Sequence, residues 1–320
     1  MKKELLNYLV CPKCKKQLKI ETIDKSEGNE IIEGTLKCDC GCKYPIILGL
    51  PRMFYNTVEG VHKSSNAFSR QWNIYDYKDE KEETWMSFSE EKRLKRVMTA
   101  FNIKPEDLKG KVILDAGCGN GRLSFSLSKL GCEVVAMDIS SGVEHASRIY
   151  KNDKLHYVKG DLMELPLKSE SFDYVWCSGV LHHTPSTKKS FDNLVPVVKK
   201  NGILYIWVYG WHPNKRPLFC TVKWGLGKIM KNSPNFFKDL VCFFCMAGIF
   251  HQVLKGKHRI NPTLIRQRRR IFNDSIVPYS HHQSPSEVKN WFKEHSFKNI
   301  EMPIEDFKVL CGYGIRGIRK

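Results

Sequence analysis

The sequence predicts an α/β, Rossmann-like fold, with a mostly parallel sheet carrying helices on both faces and a small metal-bound ribbon in front of it. Three observations carry that expectation. Five cysteines (Cys11, Cys14, Cys38, Cys40 and Cys42) crowd the first segment. From Lys111 onward, short apolar runs alternate with helical stretches, the pattern of a parallel sheet. A glycine-rich loop follows the first of those runs, and an aspartate stands at the end of each of three successive runs. The composition suits this reading. The 320 residues are 42% hydrophobic and 27% charged, which excludes a wholly disordered chain, a collagen-like repeat and a many-span membrane protein. The formal net charge of +18 points to a polyanion or an anionic surface and says nothing about fold.

The ribbon comes first. Cys11-Pro-Lys-Cys14 is a tight pair of thiols, and Cys38-Asp-Cys40-Gly-Cys42 supplies a second group. Leu18–Ile20 and Ile31-Ile32, with Gly28-Asn29 between them, read as a hairpin that brings the two groups together. Four thiolates converging this way suit one tetrahedral zinc ion, which supplies folding energy that so small a core lacks. Cys38, Cys40 and Cys42 compete for two places; Cys38 and Cys40 are favoured, because Gly41 to Pro45 then reads as the turn leaving the site. A fully thiolate-bound ion is structural and keeps no open position for catalysis. Free thiols in a small apolar nucleus are the plainer alternative.

The domain boundaries follow from these changes in pattern: ribbon 1–56, helical linker and N-terminal lid 57–108, and the α/β domain 109–320 with an insertion at about 209–284. Ser87 to Phe101 carries Leu94, Val97, Met98 and Phe101 at helical spacing. The first residues lack a signal-peptide core, and the longest apolar run, Leu240 to Phe250, falls short of the ~20 residues a spanning helix needs. Clustered thiols without such a leader imply a reducing, cytoplasmic setting.

The strands are expected at Lys111–Ala116, Glu133–Asp138, Leu155–Gly160, Phe172–Cys177 and Gly202–Val208. Asp115-Ala-Gly117-Cys118-Gly119-Asn-Gly121 closes the first, where ligands of open parallel sheets bind. Its spacing differs from that of dinucleotide binders, and a lone glycine loop is weak evidence. Asp115 before the first glycine disfavours a pyrophosphate and favours a cationic ligand. Asp138 ends the next strand, where a carboxylate accepts ribose hydroxyls. Asp161 follows the third, placed to accept from an exocyclic amine such as adenine N6. Each aspartate alone is more simply a helix cap. Together, with no phosphate-gripping lysine, they describe S-adenosylmethionine.

These residues carry a resemblance. The stretch from Val112 to Val208 resembles the class I S-adenosylmethionine-dependent methyltransferases of the methyltransferase-11 type: the loop at Asp115–Gly121, Leu165-Pro166, Ser171–Trp176, Gly179–Thr184, and Lys200–Leu204. Asn201-Gly202 departs from the family's Pro-Gly, in a turn. The N-terminal thiol pair, Tyr44–Ile46 and Gly49–Arg52 are similar to a zinc ribbon found in front of some of these enzymes, and Phe68–Trp72 looks like the linking segment. The resemblance implies that Asp115 and Gly117, Cys118, Gly119 and Gly121 hold the methionine part of the cofactor. It gives the ribose to Asp138 beside Ile139, the adenine to Asp161 and Leu162, and the space beneath the sulfonium to Ser178 and Gly179.

Methyl transfer from a sulfonium needs mainly alignment, and a base only where the acceptor must lose a proton. His182 and His183 lie where that base belongs, with loop ordering the competing role for each. Cys177 reads as a core residue. The insertion joins an apolar run to Lys238, Lys255, Lys257, His258, Arg259 and Arg266–Arg270. That pattern fits either a buried lid helix with a basic rim or interfacial docking on anionic lipid that brings a lipid-linked substrate near. The expected function is O- or C-methylation of a small molecule: a metabolite, a saccharide or a lipid-linked precursor. The alternatives are an RNA methyltransferase that uses the ribbon and basic surface, and an inert fold serving as a protein-interaction module. The Pro-Pro-aromatic run that suits methylation of base amino groups is absent after the fourth strand.

Overall fold

The computed structural model describes residues 1–54, 64–69, 72, 89–210, 277–305 and 312–320. The ribbon begins with an antiparallel hairpin, β1 (Leu18–Glu27) and β2 (Glu30–Cys38), turned through Gly28-Asn29 as the sequence predicts. Strands β3 (Lys43–Ile47) and β4 (Leu50–Met53) continue it. The main strands are β5 (Val112–Ala116), β6 (Glu133–Asp138), β7 (Leu155–Gly160), β8 (Phe172–Ser178), β9 (Val198–Tyr209), β10 (Lys298–Glu305) and β11 (Gly312–Ile318).

One sheet runs through both parts, in the order β1-β2-β3-β4-β7-β6-β5-β8-β9-β11-β10. Pairing is parallel from β4 to β9 and antiparallel on either side. The ribbon is welded on by β4, whose Arg52 and Met53 pair with Lys159 and Gly160 of β7. It therefore covers an edge that would otherwise be an open template for association. Val10 N–H donates to Pro166 O at 2.9 Å, Lys168 N–H to Tyr8 O at 2.8 Å, and the Lys15 ammonium to Leu165 O at 2.8 Å.

Strands buried on both faces supply two cores, with period 2 deciding which residue joins which. Leu114, Val135, Val158 and Val175 face the ribbon's Leu5 and Leu9 together with Phe191 and Phe292. Phe191 lies on α4 (Thr187–Leu194) and Phe292 on α5 (Pro285–Glu294). Ile113, Val134, Ala136 and Trp176 face α1 (Glu90–Phe101), α2 (Arg122–Ser128) and α3 (Gly142–Ile149). The α1 helix starts at Ser89, whose hydroxyl accepts from Lys92 N–H at 3.4 Å, and stops at Asn102 in the left-handed conformation. Its Phe101 packs edge-on to Trp176, with ring centroids 5.9 Å apart. A fully buried ring of this kind contributes about 1.5–3 kcal/mol.

Asn201-Gly202, expected in a turn, instead lies inside β9. The pairing with β8 steps from Phe172↔Val198 to Tyr174↔Ile203, so extra residues bulge from β9 with Asn201 at φ +61°. The Asn201 N–H keeps a partner in Arg319 O, at 2.9 Å, which lets the strand extend through it. The apolar run at 240–250 and the basic residues from Lys238 to Arg270 lie outside the described residues. Among the described residues no helix is long and apolar enough to cross a membrane.

Candidate functional site

At the ribbon's tip, the Sγ atoms of Cys11, Cys14, Cys38 and Cys40 all lie within 4.8 Å of one another. Cys11 and Cys40 are 3.6 Å apart and Cys14 and Cys38 are 3.4 Å apart. Four thiolates at ~2.3 Å from one tetrahedral ion would stand roughly 3.8 Å apart, so the donor set and its size fit a single zinc. Turn geometry builds the cluster. Lys15, at φ +59°, bends the first pair so that its N–H reaches Cys11 O, and Gly41, at φ +90°, does the same for Cys38 O. The Tyr44 hydroxyl lies 3.1 Å from Cys11 Sγ, positioned to donate to it. Cys42 stands outside the four and its carbonyl accepts from Cys38 N–H.

The second constellation sits where the strand order reverses. The chain runs from β5 outward to β6 and β7, then returns to β8 on the other side of β5, so the loop after β5 opens into the crevice between them. Gly117, Gly119 and Gly121 all have positive φ. A Cβ on Gly117 would stand 2.2 Å from Val180, and one on Gly119 would stand 2.5 Å from the Trp72 ring. Only glycine allows both the backbone conformation and these close approaches. Gly117 and Cys118 N–H both donate to Met137 O, tying the loop to the neighbouring strand.

The three aspartates sit on successive strand ends but in different states. Asp115 is buried and accepts from the Ser124 hydroxyl at 2.6 Å. Burial, with the nearby Asp138 charge adding to it and Ser124 opposing it, raises its pKa to about 7. Asp138 accepts from Gly119 N–H at 2.8 Å through one oxygen and from Ser140 N–H at 2.7 Å through the other. A carboxylate offers about four lone-pair sites, so a ribose could still be accepted. Asp161 caps a short 3-10 turn at Leu162–Glu164, accepting from Met163 N–H at 2.9 Å. Leu162 O is taken by the Asn193 side chain at 2.9 Å. The capping role and the strand-end position thus coexist.

Across this crevice runs a helical stretch at residues 64–69. Ser65 Oγ donates to Ile139 O, Ser69 Oγ accepts from Ser141 N–H, and Phe68 packs 5.0 Å from the His183 ring. Trp72 follows on the glycine loop. Beyond β8, Ser178 ends the strand, Gly179 turns at φ +80°, and His182 and His183 occupy a 3-10 turn at Leu181–His183 with both rings buried. Their ring centroids are 4.2 Å apart, and the Tyr209 ring is 3.9 Å from that of His182. Cys177 is fully buried in the core.

Several neighbours had no motif of their own in the sequence. Ser124 is one apolar-patterned helix residue among others. Tyr279 and His281 lie at the far end of a long unpatterned stretch, yet bond to the histidine turn. The only available signal was a second His-His pair, His281-His282, in a chain with 11 histidines.

Residues 114–206 match the family model of the methyltransferase domain, and residues 2–49 match that of Trm112p-like protein. The mitochondrial ubiquinone biosynthesis O-methyltransferase of Schizosaccharomyces pombe is 32% identical over 162 residues, covering 46% of this chain and 59% of that protein. A demethylmenaquinone methyltransferase of Clavibacter sepedonicus is 34% identical over 116 residues, covering 36% of this chain and 46% of that one. The chain thus spans about half the length of these curated relatives. Among solved structures, magnesium protoporphyrin IX methyltransferase from Synechocystis PCC 6803, with bound SAH, aligns with a TM-score of 0.48 at 16% identity over 80% of this chain and 93% of that chain. The chain carries a methyltransferase domain preceded by a Trm112p-like segment.

Proposed function

We propose that this protein transfers a methyl group from S-adenosylmethionine to an oxygen or carbon of a small-molecule acceptor. The observation that carries this is the set of three acidic strand ends, Asp115, Asp138 and Asp161, around a glycine loop whose backbone comes close to its neighbours. When bound, the cofactor supplies a methyl carbon on a sulfonium, already activated toward displacement. Asp115 and the Gly117–Gly121 loop, with Cys118, hold its amino-acid part. Asp138 and Ile139 take the ribose, Asp161 and Leu162 the adenine, and Ser178 and Gly179 lie beneath the reacting centre. The chain's own contribution is to align the acceptor and exclude water, for which effective molarities reach ~10⁵ M or more.

The relatives named above, an O-methyltransferase of ubiquinone biosynthesis and a demethylmenaquinone methyltransferase, support a small-molecule acceptor. A lipid-linked acceptor met at a membrane surface is the narrower form of this proposal. Co-flotation of the full chain with anionic vesicles tests it, and failure to float removes it. The ribbon holds one structural zinc through Cys11, Cys14, Cys38 and Cys40, and its unbridged thiols suit a reducing, cytoplasmic setting.

Calorimetric titration with S-adenosylhomocysteine tests the central claim. One site per chain is expected, and its absence would overturn methyl transfer. Elemental analysis should give one zinc per chain.

A further inference from the structure

The ribbon carries one thiol more than a tetrahedral ion can use. Cys11, Cys14, Cys38 and Cys40 fill four positions, and Cys42 is left over. Its place follows from the register of β2 and β3. Leu36 pairs with Tyr44 and Lys37 with Lys43, so one step further Cys38 stands opposite Cys42. Cys38 N–H donates to Cys42 O at 2.9 Å and Gly41 N–H to Cys38 O at 2.9 Å, which closes 38–42 into a tight turn. Residues opposite each other share a face, and successive residues alternate between faces. Cys42 therefore lies on the face of buried Leu36, Cys38 and Tyr44, away from that of exposed Lys37 and Lys43.

That face is the one on which the four thiols meet. Tyr44, two residues beyond Cys42, brings its hydroxyl to 3.1 Å from Cys11 Sγ. The Cys42 thiol comes close enough to interact with both the Tyr44 hydroxyl and the Cys40 thiol. Exposure differs among the four. Cys11 and Cys38 are buried, Cys14 is half-buried, and Cys40 alone is exposed, with Cys42 half-buried two residues behind it. An oxidant arriving from water thus meets Cys40 first, and a spare thiol stands beside it.

We propose that Cys40 and Cys42 form a peroxide-sensitive disulfide switch that opens the ribbon's metal site. The proposal rests on the zinc reading of the ribbon and adds a modification of that site. The oxidant is a hydroperoxide. The Cys40 sulfur attacks one peroxide oxygen, the O–O bond breaks, and Cys40 becomes a sulfenic acid while water or an alcohol leaves. The Cys42 sulfur then attacks the Cys40 sulfur and gives up its proton, and the sulfenic oxygen departs as water. One disulfide forms, two cysteines are oxidised and the peroxide is reduced. Cys11, Cys14 and Cys38 remain, one thiolate short of the tetrahedral set. Without Cys42 the sulfenic acid has no spare thiol in the turn. It then proceeds to the sulfinic acid, which thiol reductants do not reverse.

Hydrogen peroxide added to the full zinc-bearing chain tests the switch, with a chromogenic chelator reading zinc and peptide mapping reading each thiol. The parent should release its zinc, gain a disulfide between Cys40 and Cys42, and rebind zinc after dithiothreitol. Cys42→Ser keeps all four ligands and should bind one zinc before oxidation. After peroxide its Cys40 should be trapped by dimedone, then appear as sulfinic acid, and dithiothreitol should fail to restore zinc binding. Retention of zinc by the parent, a disulfide between other cysteines, or full recovery of Cys42→Ser would overturn the switch while leaving the zinc ribbon standing. Loss of zinc from unoxidised Cys42→Ser would make Cys42 a ligand and overturn it too. A parent chain that holds no zinc before oxidation would overturn the zinc reading and the switch with it.

Discussion

Replacing Asp115 with asparagine should make the protein more stable and its cofactor site worse. The carboxyl of Asp115 is 3% exposed, has one hydroxyl donor, and its pKa stands at about 7 against 3.8 in the unfolded chain. The folded state therefore holds on to a proton that the unfolded chain gives up. As pH rises from about 4 to about 7 the unfolded state gains by ionising and the folded state does not, so stability falls across that window. Three pKa units at 1.36 kcal/mol each set the cost at pH 7 at up to about 4 kcal/mol. Asp115→Asn removes the titration while still accepting from Ser124. Its thermal midpoint should rise relative to the parent at pH 7 and lose that advantage near pH 4. A bound ligand with a cationic amino group or sulfonium reverses the balance, because it favours the ionised carboxylate. Cofactor binding then expels about half a proton per site at pH 7, and affinity climbs roughly tenfold from pH 6 to pH 8, as the ionised fraction of a group with pKa 7 rises from about a tenth to nine tenths. Titrating S-adenosylhomocysteine in two buffers of different ionisation enthalpy measures that proton. Proton-free binding by the parent, or undiminished affinity in Asp115→Asn, would refute the reasoning.

Other consequences are testable with the same protein. With any acceptor the parent methylates by losing a proton, His182→Asn and His183→Asn distinguish a base from a loop-ordering residue. The variant that removes a base lowers kcat by ~10²–10⁴ with KM little changed, and equal, small effects in both leave only loop ordering. Gly119→Ala places a methyl 2.5 Å from the Trp72 ring at φ +54°. Left-handed strain and overpacking together cost about 2–5 kcal/mol, read as a lower melting temperature and weaker S-adenosylhomocysteine binding. With the proposed zinc in the ribbon, treatment with a chelator should lower the melting temperature and weaken S-adenosylhomocysteine binding together. Unchanged affinity in metal-free protein would show that the ribbon's bonds to 165–168 do not steady the adenine loop.

What the sequence made legible were features with local chemistry. The paired cysteines need only a turn to converge, and the structure supplies it at Lys15 and Gly41. The main strands announce themselves because residues buried on both faces read as unbroken apolar runs. Aspartates at strand ends are likewise local, since each follows its own strand. Nothing local foretells Tyr279 O against His183, because the partner is a backbone carbonyl whose side-chain identity is irrelevant to the bond. Nor could β4 be read as a strand of the main sheet. Leu50–Met53 pairs with β7 through two residues only, and its proline suits an edge until the partner is known.

That short pairing changes what the ribbon does for the rest of the molecule. β7 is the outermost parallel strand that follows the ribbon in sequence, and the turn at its end carries Asp161 and Leu162. β4 covers its free edge, while Val10, Lys15 and Tyr8 bond to 165, 166 and 168 just beyond the turn. Lys15 is itself the residue that bends the first cysteine pair, so one side chain joins the thiol cluster to the segment following Asp161. The loop expected to meet adenine is thus held at one end by Asn193 on α4 and at the other by a ribbon whose fold depends on its thiols. A ribbon free to swing on a linker would have no such bearing on the crevice. One that shares a sheet and a core with it bears directly on the crevice proposed to hold the cofactor, even though its four cysteines lie outside that crevice.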